Sequence, residues 1–203
     1  MIDKYSTKRA AVREHSKMQE VLMDPAAEGP EVHYWMTRGS IEWTNITIWN
    51  VGKVGEEYIK TYGHYHVGDL DETYTVLQGK GIVLLQKRAI GEDGKYIDDE
   101  IEEAYAIDAK PGDKIFIPSE WGHLVANTGN IFLVTSDDSP VNFEEVDPVS
   151  LPGHADYEAV KKMQGFCYYI CQKDGKSALV KNPKYKKVPE ISIIEASAYP
   201  LHK

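Results

Sequence analysis

The chain has 203 residues, 42% of them apolar, and a formal net charge of −9. That length fits one domain with terminal additions. The acidic balance excludes a general nucleic-acid or anionic-membrane binder, because both need clustered Lys and Arg; a phosphorylated substrate stays open, since a few donors inside a pocket outweigh the global sign.

The N-terminal run MIDKYSTKRAAVREH lacks the apolar stretch of a signal peptide. No segment approaches the roughly 18 apolar residues of a membrane span, so a cytoplasmic protein with no membrane partner is expected. The spacing of Ala11, Val12, His15, Met18, Val21 and Leu22 predicts a helix over 8–24, ended at Asp24-Pro25. With the Pro/Gly/Glu loop at 25–31 it makes an extension over 1–31. From 32 the texture turns β: VHYWMTR, IEWTNITIW, a turn at 52–55, then EYIKTYG. TYTVLQ and GIVLLQK are joined by Gly79-Lys80-Gly81, which predicts a hairpin. The acidic run 88–110 reads as a turn followed by exposed β structure with a solvated face. Strands KIFIP and NIFLVTS follow, then a short helix at 155–164, then FCYYICQ and KSALVK across a Lys173-Asp174-Gly175 turn. The β-rich domain spans 32–187, and 188–203 reads as a surface tail. Short strands at near-regular spacing imply an all-β sandwich or barrel. In a strand, Cys167 and Cys171 stand roughly 13 Å apart, too far for a disulfide, so both read as reduced thiols.

His64 and His66 stand two residues apart, and in a strand that spacing turns both imidazoles to one face. Glu72 follows six residues on, and His123 lies in a second segment after Trp121-Gly122. Three imidazoles and a carboxylate suit Fe²⁺, Mn²⁺, Zn²⁺ or Ni²⁺. An isolated His-x-His is also a common pair of exposed strand histidines. The surroundings decide between the two: His-x-His…Glu-x6-Gly, then Gly112-x5-Pro118-x4-His123-x3-Asn127. This resembles the two-part signature of the cupin superfamily, and implies a cupin β-barrel (a double-stranded β-helix or jelly roll) with an N-terminal helix and a short C-terminal one. Glu120 stands where many cupins have glycine.

Within that superfamily, GKVGEEYIKTYGHYH, ETYTVLQGKGIVLLQ, PGDKIFIPSEWGHLVANTG, GHADY and NPKYKK resemble the cupin-type glucose-6-phosphate isomerases over roughly residues 40–187. The resemblance implies one divalent ion per subunit, Fe²⁺ ahead of Mn²⁺, Ni²⁺ or Zn²⁺, held by His64, His66, Glu72 and His123. It makes Glu72 and His123 catalytic, with Glu72 as the base. It assigns the substrate and its phosphate to Thr47, Thr61, Gly63, Tyr74, His154 and Tyr157. Two departures stand out: Gly-His-Ala-Asp-Tyr carries one residue more than the family's element, and Ser136 aligns with a family tyrosine. The implied reaction interconverts glucose 6-phosphate and fructose 6-phosphate, in glycolysis and gluconeogenesis. The alternatives are an Fe(II) dioxygenase, a sugar-phosphate sensor, or an isomerase of another phosphosugar such as mannose 6-phosphate. Lys53 and Lys80 are candidate helpers for phosphate but read first as solvated turn lysines; Tyr62 is placed at the cavity mouth, and Tyr65 is expected to pack. Trp43, Trp49 and Trp121 read as core or interface aromatics, His15 and His33 as surface or packing residues. Apolar strands at 32–50 predict a homodimer.

Overall fold

The computed structural model describes residues 10–41, 44–139 and 155–201; Trp43, His154 and the 141–151 stretch lie outside the described residues. In chain order the strands are β1 (Ala10–Glu14), β2 (Val32–Ile41), β3 (Thr44–Trp49), β4 (Lys53–Val54), β5 (Glu57–Tyr58), β6 (His64–His66), β7 (Glu72–Gln78) and β8 (Gly81–Ile90). They continue as β9 (Tyr96–Ala109), β10 (Lys114–Ile117), β11 (Trp121–Asn127), β12 (Leu133–Asp137), β13 (Ala155–Asp156), β14 (Tyr168–Lys173), β15 (Lys176–Lys181) and β16 (Ile193–Glu195). Two short helices, α1 (His15–Met18) and α2 (Glu158–Lys162), complete the pattern. No helix among the described residues is long and apolar enough to cross a membrane.

One sheet runs β1-β2-β3-β12-β7-β10, the other β13-β6-β11-β8-β9-β16, and a smaller one β15-β14-β5-β4. The two large sheets build the strand-dominated cupin barrel. In β7 the alternation is strict: Glu72, Tyr74 and Val76 are buried while Thr73 and Thr75 are less so, as a strand with one face inward demands. By contrast β11 is buried along its whole length. Its second face is covered by the segment after α2, where Gln86 of β8 donates to the hydroxyls of Tyr65 and Tyr185 and accepts the Cys167 N–H. Cys167 and Cys171 are free and buried.

Three expectations are corrected. The 8–24 helix is reduced to α1 and a single 3₁₀ turn, because residues 10–14 pair with β2 from Ala10↔Thr37 onward. A short isolated helix is marginal in water, whereas the sheet edge offers a complete hydrogen-bond ladder to this segment. The 79–81 turn is not a hairpin, since β7 and β8 belong to opposite sheets. A Cβ at Gly81 would lie 2.6 Å from the Leu133 side chain and 2.7 Å from the Ala126 carbonyl, so the chain crosses between sheets where only glycine fits. The tail is also stitched in: β16 pairs parallel with β9, and the Tyr199 hydroxyl donates to the Phe116 carbonyl at 2.9 Å.

Residues 19–23 are fixed by a buried ion pair. Lys60 Nζ lies 3.2 Å from Glu57 Oε1 and donates to the Val21 carbonyl, while Glu57 accepts the Met23 N–H. Beside it His33 is completely buried, with its Nε2 3.0 Å from His15 Nδ1. Burial, then the charges of His15 and Lys60, lower the His33 pKa to about 4. The unfolded chain takes up a proton near pH ~6.5, well before the folded one, so this site costs stability as pH falls through the window between the two values. Between pH 7 and 4.5 the wild-type chain is expected to lose about 2 kcal/mol more unfolding free energy than His33→Asn. Urea denaturation at the two pH values measures this, and equal losses would refute the assignment.

Candidate metal centre

The ligand positions follow from register. His123 of β11 pairs directly with His64 of β6, and the two-residue step in β6 brings His66 to the same side. The ring centroids are 4.4 Å apart for His64–His123, 4.9 Å for His66–His123 and 5.3 Å for His64–His66. One nitrogen from each ring lies within 4.8 Å of the others. Glu72 approaches from the opposite sheet, with Oε1 2.9 Å from His123 Nε2 and 3.7 Å from His66 Nε2.

The chemistry of these atoms fits a cation. His66 Nδ1 lies 2.8 Å from the Leu70 carbonyl. A carbonyl only accepts, so Nδ1 carries the proton and Nε2 offers its lone pair to the cluster. Among the described residues, both ring nitrogens of His123, and Glu72 Oε1, are buried with no aligned hydrogen bond, although Nε2 and Oε1 face each other at 2.9 Å. Buried polar atoms in that state are costly unless something binds them. Burial lowers the His123 pKa to about 4, against the Asp137 charge, so its imidazole is neutral as a ligand must be. Burial also raises Glu72 to about 7, opposed by His66, Ser139 and Tyr74. The described residues therefore fit a divalent ion held by His64, His66, His123 and Glu72.

A cavity opens beside the cluster. Thr47, Thr61, Gly63, Tyr74 and Tyr157 line it together with His64, Glu72 and His123. Thr61 Oγ1 accepts the Val125 N–H at 3.0 Å, which leaves its hydroxyl proton to donate elsewhere. Tyr74 stands edge-on to His123 at 5.5 Å. Tyr157 lies 5.1 Å from the His64 ring. Its segment is held by Asp156, whose carboxylate accepts the N–H groups of Glu158 and Ala159 and faces Arg88 at 3.5 Å. His154 lies outside the described residues.

Other sequence expectations fall elsewhere. Lys80 pairs with Asp108 at 3.0 Å and Lys53 donates to Gln172; neither lines the cavity, in keeping with their reading as surface turn lysines. Tyr62 is buried behind the wall, donating to Glu20 at 2.7 Å and meeting Tyr157 edge-on. Tyr65 packs on Phe166 as expected. Glu120 has φ +69 and accepts from Tyr96 at 2.9 Å, so it occupies a backbone region that glycine adopts freely. Arg13, Tyr34, Met36, Arg38, Asn45, Asp137 and Ser139 also line the cavity, and the sequence reading missed them. Strand parity would have found Asn45, which shares a face with Thr47. Asn45 Nδ2 donates to Asp137 Oδ1 at 2.6 Å, and Ser139 Oγ donates to the same oxygen at 2.7 Å. Burial, then the Glu72 charge, raises Asp137 to about 6.

Residues 36–190 match the family model for glucose-6-phosphate isomerase (GPI). A glucose-6-phosphate isomerase of Pyrococcus abyssi is 35% identical over 141 residues, covering 69% of this chain and 62% of that protein. One from Thermococcus kodakarensis is 34% identical over 142 residues, covering 70% and 63%. The chain thus spans somewhat less than two thirds of the length of these relatives. Among solved structures, the Drosophila melanogaster CENP-C cupin domain aligns with a TM-score of 0.36 at 15% identity, covering 55% of this chain and 71% of that one.

Gly63 sets the approach to His64. Its φ is +79, and a Cβ there would lie 2.4 Å from the Phe166 ring and 3.0 Å from the His123 carbonyl. Gly63→Ala is expected to cost at least about 2 kcal/mol of unfolding free energy, from backbone strain and overpacking together. A urea midpoint equal to wild type would refute that role.

Proposed function

Because the chain belongs to the glucose-6-phosphate isomerase family, we propose that it interconverts glucose 6-phosphate and fructose 6-phosphate with one divalent ion, Fe²⁺ foremost, in the cytoplasm. The observation that carries this reading is Glu72 Oε1, buried 2.9 Å from His123 Nε2 on the wall of a cavity that also presents Thr47, Thr61 and Gly63.

An aldose–ketose exchange moves a hydrogen between C2 and C1 of the open-chain sugar. The bound ion supplies a Lewis acid for the carbonyl. Glu72 takes the C2 proton and returns it to C1, as a carboxylate on the cavity wall can. Glu72 would also help hold the ion, and ligation lowers the basicity that proton transfer needs, so the two roles compete for one carboxylate. His64, His66 and His123 hold the ion. The Thr61 hydroxyl, the Gly63 backbone and Thr47 orient the phosphoryl end, and Tyr74 and Tyr157 close the walls against water. His154 joins the substrate contacts in this reading, on the strength of the resemblance.

The subunit is proposed to act as a homodimer. The cross-strand row Val12↔Trp35↔Ile48↔Val134 runs along one face of the first sheet. Val12 and Ile48 on it, and Leu77 and Phe132 nearby, are exposed large apolar side chains. A contiguous apolar face of this kind marks an association surface.

Protein loaded with Fe²⁺ or Mn²⁺ is expected to convert fructose 6-phosphate to glucose 6-phosphate, with EDTA abolishing the activity; no conversion by the loaded protein sinks the proposal. Glu72→Gln is expected to lower kcat by roughly 10²–10⁴-fold while retaining metal, and deuterium from D₂O is expected in the wild-type product. Normal turnover in that variant, or full retention of the substrate's own hydrogen, would remove Glu72 as the base. For the dimer, sedimentation of Ile48→Glu is expected to show monomers where the wild type pairs.

A further inference from the structure

The cavity holds two buried arginines that the isomerase reading does not use. Arg13 is 5% exposed and Arg38 9%, and both line the cavity with His64, Glu72 and His123. Their placement comes from the first sheet. Arg13 pairs with Tyr34, and Arg38 follows Met36 by the two residues that keep it on one face of β2. Arg13 Nε donates to the Tyr34 hydroxyl at 3.2 Å, which leaves its two terminal NH₂ groups without a partner among the described residues. No described side chain forms an ion pair or hydrogen bond with the Arg38 guanidinium.

Arginines are almost never this buried unless paired. The two carboxylates in the same cavity do not pair with them. Asp137 Oδ1 is taken by Asn45 and Ser139, and Glu72 faces the histidines. Burial, opposed by Tyr157 and the Asp137 charge and aided by Arg13, pulls the Arg38 pKa below its ordinary value, yet a guanidinium stays charged at any physiological pH. Two like charges therefore face one cavity, with ten N–H donors between them and, among the described residues, one of these spent. An anion with several acceptor oxygens is the group that satisfies such a pair, and a phosphoryl dianion matches it in charge and in the fork geometry of arginine.

We propose that Arg38 and Arg13 bind the phosphoryl dianion of the substrate as a cationic clamp at the end of the cavity, with Thr47, Thr61 and Gly63 supplying the neutral contacts. The assignment rests on the isomerase reading for the identity of the sugar, and not for the anion site itself. It makes these arginines specificity-determining residues: an unphosphorylated hexose leaves both guanidiniums unpaired and is rejected.

Calorimetric titration of the metal-free full chain with inorganic phosphate tests this without turnover. The wild-type chain is expected to bind phosphate. Arg38→Gln and Arg13→Gln are expected to weaken it by about tenfold to a hundredfold, as hydrogen bonds to charged groups allow. Arg38→Lys, which keeps the charge and loses the fork, is expected to fall between. Near-UV circular dichroism, reporting the cavity tyrosines, checks that each variant is folded, and the lysine variant stands in if a glutamine variant is not. Phosphate affinity unchanged in the folded variants overturns the clamp. In the loaded enzyme the same substitutions are expected to raise KM for fructose 6-phosphate, and an unchanged KM also overturns it. Phosphate binding lost on substitution, in a chain that isomerises no phosphosugar, would defeat the isomerase reading and leave the anion clamp standing.

Discussion

Glu72, His123, Asp137 and two arginines share a space from which water is largely excluded, and the cost of that exclusion organises the rest of the molecule. A carboxylate or imidazole moved out of water must be hydrogen-bonded, neutralised or bound. Each group here meets that demand differently. Asp137 is satisfied by Asn45 and Ser139. His66 is fixed by the Leu70 carbonyl through one nitrogen, so that the other is aimed inward. Among the described residues, His123 and Glu72 keep buried atoms with no aligned hydrogen bond, a state that a cation reverses from penalty to binding energy.

Two facing sheets are well suited to building such a site. Each strand turns every second side chain inward, so β6, β7, β11 and β12 each contribute chemistry at one or two positions while their remaining residues hold the ladder or the core. Precision comes from register. The His64↔His123 pairing sets one edge of the cluster, and the Asp137↔Asn45 and Asp137↔Tyr74 pairings set the opposite wall. The supports lie behind: Tyr65 on Phe166, and Gln86 tying three segments together across the outer face of the second sheet. Loosening those contacts would spoil the cluster without touching a ligand.

The sequence was legible where local geometry alone decides placement. His-x-His in a strand shares a face by parity, and Glu72 opens a strand whose alternation turns it inward; the resemblance to the cupin signature, and not local geometry, added His123 to the group. The hidden part depends on long-range pairing. Arg13 lies in a stretch whose apolar spacing suits a helix, and only the register of β1 on β2 turns it into an inward-facing strand residue. Arg38 carries no motif, and its surroundings form only when β3 folds back on β2. The Gly79-Lys80-Gly81 turn read as a hairpin because turn chemistry reports the sharpness of a corner, and not which sheet the next strand enters. The lysines at 53 and 80, read as solvated turn residues, are satisfied at the surface, while the cations in the cavity come from β1 and β2.

That placement bears on the net charge of −9. An acidic chain repels anions at long range, so the proposed phosphosugar would gain little from electrostatic steering. Recognition then has to be local. Inside the cavity the two guanidiniums act at short range in a low-dielectric setting, where their attraction for a dianion is far stronger than at the surface. Burial pushes the Asp137 carboxyl up to about 6, helped by the Glu72 charge, while Asn45 and Ser139 satisfy one of its oxygens. The same desolvation that raises the carboxylates also sharpens the arginines' preference for a bound anion. In the proposed isomerase, substrate selection and proton transfer would thus draw on one physical source, the buried wall between the two sheets.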